Sequence, residues 1–181
     1  MHYFKRRLMF LTMCGLIVLT GLFYQSANRA TNVVPTTTPS NETVPIEKLT
    51  LTGLDEETYT LSQWMERPLI VTFFASWCEV CAETMPTLTA FYHKEKDQLQ
   101  MIAINATTEE RRKSDVQSFV QSAKVTFPVF YDETGEAMAA FELIGVPATF
   151  ILDTDGTIHE TFYGPVSPDR LKNAAMATQQ K

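Results

Sequence analysis

Hydrophobic positions along the chain fall into runs of different period. Leu8 to Tyr24 is a 17-residue run without a charge and without a polar face. A helix rises about 1.5 Å per residue, so this run nearly crosses a hydrocarbon core of about 30 Å, and extension to Ala27 closes the gap. Tyr3, Phe4, Phe23 and Tyr24 stand at its ends, where interfacial aromatic residues belong. The pattern predicts a transmembrane signal anchor over 1–27. Lys5, Arg6 and Arg7 precede it and should stay in the cytoplasm, which places the rest of the chain outside. A cleaved signal peptide is the rival reading, but Gln25 and Ala27 make a poor small-x-small site. A lipidated Cys14 is the other, and Met13 stands where a small residue is expected. Residues 28–48 show no apolar periodicity and are rich in Pro, Thr and Asn, which predicts an extended linker.

Beyond residue 48 the periods shorten and alternate. Leu49, Leu51 and Leu54, followed by Tyr59 and Leu61, predict a hairpin around Asp55-Glu56-Glu57. Leu69 to Phe74 is nearly all apolar and predicts a central strand buried on both faces. Glu79 to Lys96 carries Met85, Leu88, Phe91 and Tyr92 at helical spacing, with Pro86 expected to kink the helix. Leu99 to Asn105 predicts a second buried strand, and Lys113 to Ala123 an amphipathic helix with Val116, Phe119 and Val120 inward. A short strand at 127–131, a short helix at 135–143 and a strand at 148–152 follow. Asp153 to Gly156 is a turn returning the chain as a strand over 157–163. Ser167-Pro168 opens the last helix as cap and first-turn proline. Strands alternating with helices predict one α/β domain over 49–178, with a mixed sheet and an antiparallel edge. About 130 residues can bury roughly two thirds of their unfolded surface, enough for a core.

Composition sharpens this division. The chain is 45% hydrophobic and 20% charged, which excludes a fully disordered protein. Its formal net charge is −6. The first 28 residues hold three of the 15 basic residues and no acid. The other twelve face 21 acidic residues, so the remainder is nine charges negative. Such a surface disfavours nucleic acid and anionic lipid. Three cysteines cannot staple a small scaffold or complete a four-cysteine zinc site, and the three histidines are scattered.

The candidate chemistry lies in Trp77-Cys78-Glu79-Val80-Cys81. Here a predicted strand runs into a helix N-terminus. Two cysteines three residues apart at that place come within disulfide reach. Unpaired N–H groups and the positive end of the helix dipole favour thiolate on Cys78, so it should titrate below a free cysteine. Cys81 lies one turn deeper and should be buried. Cys78 then attacks or is attacked, and Cys81 resolves the mixed disulfide. A static disulfide across so short a loop would constrain little unfolded chain. Half of a zinc site would need two further ligands.

Phe73 to Cys81, the helix with Pro86, and Gly145-Val146-Pro147-Ala148-Thr149-Phe150 together resemble the thioredoxin superfamily. The N-terminal anchor and the additional strand and helix near 99–123 are similar to its TlpA/ResA-like branch of tethered thiol–disulfide oxidoreductases. The resemblance covers about 45–178 and implies a thioredoxin-like fold without metal or cofactor. It implies that Pro147 is a cis-proline facing the dithiol. It also implies that the Val146 backbone pairs with a substrate strand and that Trp77 flanks the site, making these three the substrate-binding residues. Apocytochrome c and a membrane electron donor are the partners it suggests. Two positions depart from the family pattern. Thr72 and Thr84 stand where members carry a buried acid. Glu83 is one residue off, about 100° around the helix. Its rotation should direct it elsewhere, so either Glu83, the candidate for proton transfer, acts through water, another acid does so, or proton transfer is less assisted.

Glu79 and Glu83 disfavour thiolate, and nothing basic in the motif offsets them, so the couple should lean towards reductant. The alternative is a copper chaperone or copper-site thiol reductase using Cys78, Cys81 and His159, since copper(I) accepts soft thiolates. A peroxidase would need its reactive cysteine in another loop context. A pure binding module would not need a dithiol.

Overall fold

The computed structural model describes residues 44–178. The predicted anchor at 1–27, Cys14 and all but the last few linker residues lie outside that range. Among the described residues, no helix is long and apolar enough to cross a membrane.

Seven strands form one sheet: β1 (Thr50–Gly53), β2 (Thr58–Thr60), β3 (Leu69–Phe74), β4 (Gln100–Asn105), β5 (Val129–Tyr131), β6 (Ala148–Leu152) and β7 (Ile158–Tyr163). Their spatial order is β2-β1-β5-β4-β3-β6-β7. The pairs β3/β4 and β4/β5 are parallel, and the other neighbours are antiparallel. The helices are α1 (Glu79–Glu95), α2 (Lys113–Ser122), α3 (Glu136–Ala140) and α4 (Pro168–Ala177). This is a thioredoxin-like α/β fold with a mixed central sheet.

All six residues of β3 are buried, as expected of a strand covered on both faces. Ile70 and Phe74 face the core formed with Met85, Leu88 and Phe91 of α1, Val116 and Phe119 of α2, and Leu171 of α4. Leu69, Val71 and Phe73 face the other core, with Phe141, Phe150, Leu49 and Leu61. The period-two alternation of side chains thus serves two layers.

Several expectations shift at their edges. Leu61 leaves the hairpin to begin a 3-10 turn over Leu61–Trp64, where it caps the second core. Phe127 is buried but precedes β5; the ladder to β4 begins beyond it, where the Ala103 N–H donates to the Pro128 carbonyl at 2.8 Å. Gly135 lies outside α3 at φ 79°, a left-handed conformation that glycine adopts without steric cost. Ser167 caps α4, its Oγ accepting from the Arg170 N–H at 3.4 Å. An ion pair joins a buried acid to a half-exposed lysine. Lys172 Nζ of α4 lies 3.0 Å from both carboxylate oxygens of Glu95 on α1, which satisfies a carboxylate otherwise sealed from water.

Candidate active site

The β3 strand ends at Phe74, and the chain turns through Ala75, Ser76 and Trp77 into α1. Cys78 is the N-cap of α1, with extended backbone at φ −85° and ψ 106°. Its Sγ accepts the backbone N–H of Cys81 at 3.1 Å, and its carbonyl accepts from Ala82. A cysteine thus occupies the place where Ser or Asp usually caps a helix. The same N–H and the helix dipole would stabilise negative charge on that sulfur. Cys78 and Cys81 form a disulfide with Cα atoms 5.2 Å apart. Cys78 is 8% exposed and Cys81 fully buried, so of the two residues only Cys78 reaches the surface.

Trp77 is 60% exposed, yet its ring is fixed: the indole Nε1–H donates to the Glu109 carbonyl at 3.0 Å. The Val146–Pro147 peptide bond is cis. Because Ala148 pairs with Phe73, the cis-proline loop lies at the same end of the sheet as the disulfide. Val146 packs against the core cluster that contains both cysteines. Exposed Val80 on α1, Ile144 ahead of the cis-proline and Tyr163 opposite Ala148 extend the apolar surface at this end.

Thr72 and Thr149 face one another across β3 and β6, with the Thr149 hydroxyl donating to Thr72 Oγ1 at 3.3 Å. Both are buried. They line a recess of about 280 Å³ together with Glu83, Thr84, Pro147 and Val166. The Thr84 hydroxyl is shared between the carbonyls of Val80 and Cys81, at 3.0 and 3.1 Å. Glu83 is exposed, but it borders this recess rather than pointing away from it, because the mouth spans two successive helix positions. His159 does not join the site. It lies near the start of β7, beside the residues that pair with Leu152 and Ile151, whereas Tyr163 at the other end pairs with Ala148. At about 3.3 Å per residue, four residues separate it from the dithiol end by roughly 13 Å along the strand. The alternative copper-binding set of Cys78, Cys81 and His159 is therefore not assembled. No group of three or more candidate metal ligands occurs among the described residues.

Sequence reading missed one polar cluster. Glu110, in the loop before α2, accepts from the Ser76 N–H at 2.6 Å, the Ser76 hydroxyl at 2.5 Å and the Asn105 side-chain amide at 2.8 Å. Asn105 is fully buried and its amide also reaches the Phe74 carbonyl at 3.3 Å. Thr107 donates to the other end of that amide at 3.0 Å. An Asn closing an apolar strand was the available signal, since a buried amide demands partners.

The redoxin family matches residues 29–178. The chain belongs to the redoxin family. Sporulation thiol-disulfide oxidoreductase A of Bacillus subtilis is 32% identical over 104 residues, 57% of this chain and 63% of that protein. The chain thus spans less than two thirds of that relative's length. Thiol-disulfide oxidoreductase ResA of Bacillus thuringiensis is 26% identical over 123 residues, 67% of this chain and 69% of ResA. The crystal structure of StoA from Bacillus subtilis superposes with a TM-score of 0.62 at 27% identity, covering 70% of this chain and 94% of StoA. A secreted Mycobacterium tuberculosis disulfide oxidoreductase shares the fold, with a TM-score of 0.63 at 21% identity over 72% of this chain and 96% of that one. With its cysteine pair at disulfide distance, this redoxin is a thiol–disulfide oxidoreductase.

Proposed function

We propose that this redoxin is a membrane-tethered reductant of protein disulfides, working outside the cytoplasmic membrane through Cys78 and Cys81. The observation that carries the reading is the Cys78 cap. The Cys78 sulfur sits at a helix N-terminus and receives an N–H, and Cys78 keeps a small exposure while Cys81 is fully buried behind it. In the reduced protein the Cys78 thiolate attacks one sulfur of a substrate disulfide. The substrate's other sulfur leaves as a thiolate and takes a proton. Cys81 then loses its proton and attacks Cys78 Sγ, which releases the second substrate thiol and re-forms the Cys78–Cys81 bond. Two electrons pass to the substrate, and a membrane donor must return them.

Substrate would approach beside Trp77 and pair as a strand with the Val146 backbone at the cis-Pro147 loop. Glu83 at the recess mouth would take the Cys81 proton through water among the hydroxyls of Thr72, Thr84 and Thr149. Apocytochrome c is the substrate class favoured by the likeness to the ResA branch, together with other envelope proteins. The uncharged segment at 8–27 and the basic residues before it support the tether and its orientation.

A Cys81→Ala variant tests the reading. It should retain substrate on Cys78 as a mixed disulfide that mass spectrometry can name. Recovery of no covalent partner, with expression confirmed, would count against thiol exchange. A reduction potential near that of the oxidant DsbA, about −120 mV, would remove the reductant assignment.

A further inference from the structure

We propose that Glu110 is a positioning residue for the dithiol, whose negative charge keeps the Cys78/Cys81 couple more reducing. The inference deepens the reductant reading and rests on it.

Glu110 is held only by uncharged donors: the Ser76 N–H, the Ser76 hydroxyl and the Asn105 amide. Its charge is therefore solvated by dipoles; the next residues, Arg111 and Arg112, oppose it only from exposed places, and Arg112 is paired with Asp115. Ser76 stands two residues before the capping sulfur, so its Cα lies within about 7.6 Å of the Cys78 Cα. The carboxylate lies a further 2.6 Å from the Ser76 nitrogen, so its charge stands about one Debye length of 8–10 Å from Cys78 at moderate salt, and part of the intervening space is protein. A carboxylate at a helix N-terminus is favourable for the helix. It also lowers the positive potential available to a thiolate at the cap. Glu79 and Glu83 on α1 and Glu109 beside Glu110 act with the same sign from more exposed places.

The same contacts fix geometry. Glu110 braces Ser76, the neighbouring Glu109 carbonyl holds the Trp77 indole, and Ala106 N–H donates to the Phe74 carbonyl at 2.9 Å. The loop between β4 and α2 thereby grips the whole turn from β3 into α1. Shape and charge at Cys78 are set from one side chain that touches neither sulfur.

The two roles separate experimentally in the full chain. In the glutathione equilibrium, oxidised protein and two glutathione thiols give the reduced dithiol and one glutathione disulfide. Two electrons and two protons move. Glu110→Gln removes charge and keeps an acceptor for Ser76. It should shift this equilibrium about three- to tenfold towards reduced protein, tenfold being 29.6 mV for a two-electron couple. The pH profile of Cys78 alkylation should move to lower pH. Ser76→Ala keeps the charge but removes one donor, so both readouts should move the opposite way by a smaller factor. Glu66→Gln, at the other end of β3, should change neither. A wild-type equilibrium and alkylation profile in Glu110→Gln would overturn the proposal, as would shifts of the same sign in both active-site variants. If Glu110→Gln does not fold, Ser76→Ala alone decides: a shift towards reduced protein, or none, overturns it. No protein substrate enters this assay. A wild-type potential near −120 mV would therefore remove the reductant reading while leaving the difference between variants measurable.

Discussion

Two polar clusters flank the end of β3 that carries the cysteines, and they solve burial differently. On the β4 side a charged carboxylate, Glu110, is fully engaged by Ser76 and Asn105. On the β6 side Thr72 and Thr149 have only one another, through a single 3.3 Å bond. Glu110 is half-buried and its charge is held by several converging donors, whereas a buried hydroxyl needs one partner. The first cluster should therefore be rigid and intolerant of change. The second is neutral and replaceable, and it cannot itself take the Cys81 proton.

The largest effect should come from Glu110→Ala. It strips a charged acceptor from three donors and leaves the buried Asn105 amide short of a partner. Bonds to charged groups contribute about 1.5–3 kcal/mol each but do not add fully, so a loss of about 3 kcal/mol is expected in urea unfolding. A loss below about 1 kcal/mol would erase the contrast between the clusters.

Charging the other side comes next. Thr72→Asp places a carboxylate where the only close partner is the Thr149 hydroxyl. Burial would raise its folded pKa above the unfolded value near 3.9. Unfolding at pH 7 should show a penalty of about 2–3 kcal/mol. The penalty should recede as pH falls, because the group is neutral in both states below the unfolded pKa. An equal penalty at pH 4 and pH 7 would mean that shape, not charge, is at fault. The milder Thr72→Val should cost about 1 kcal/mol by orphaning Thr149, and adding Thr149→Val should recover most of it. Equal losses for Thr72→Val and Glu110→Ala would show that the neutral pair is no more replaceable than the charged one.

These clusters also mark the limit of what the sequence discloses. Leu69–Phe74 and Ala148–Leu152 are readable as buried strands because their apolar runs have no competing interpretation. Cys78 and Cys81 are readable because local spacing alone places them on one helical turn. Glu110 is not, since its partners lie 34 and 5 residues away, and only the parallel pairing of β3 with β4 brings them together. His159 misleads for the same reason: its distance from the dithiol depends on which end of β7 it occupies. Glu83 borders the recess despite its rotation from Thr84, because the recess is two helix positions wide.

The smallest effect tests whether a fully engaged charge matters only when it is close to the core. Lys113 on α2 is as well bonded as Glu110, at 2.7 Å from Glu56 and 2.8 Å from Glu133, with its Nζ 4.3 Å from the Tyr131 ring centroid. Both acids are substantially exposed, so water and salt screen the pairs. Hydrogen bonding to Lys113 holds the Glu133 carboxyl below its ordinary value, and Glu133 followed by Glu56 raises the Lys113 ammonium. A depressed acid contributes stability above its unfolded pKa and loses it as pH falls through the folded one. The raised amine loses its share only as pH climbs through its own folded value. Lys113→Met should therefore cost no more than about 1 kcal/mol at pH 7. The cost should shrink on acidification, leaving a residue from the ammonium over Tyr131, which stays charged at low pH. Urea midpoints of both proteins at pH 7 and pH 3 measure this. A loss at pH 7 matching that of Glu110→Ala would show that convergent bonding alone, without burial, makes a charge indispensable in this fold.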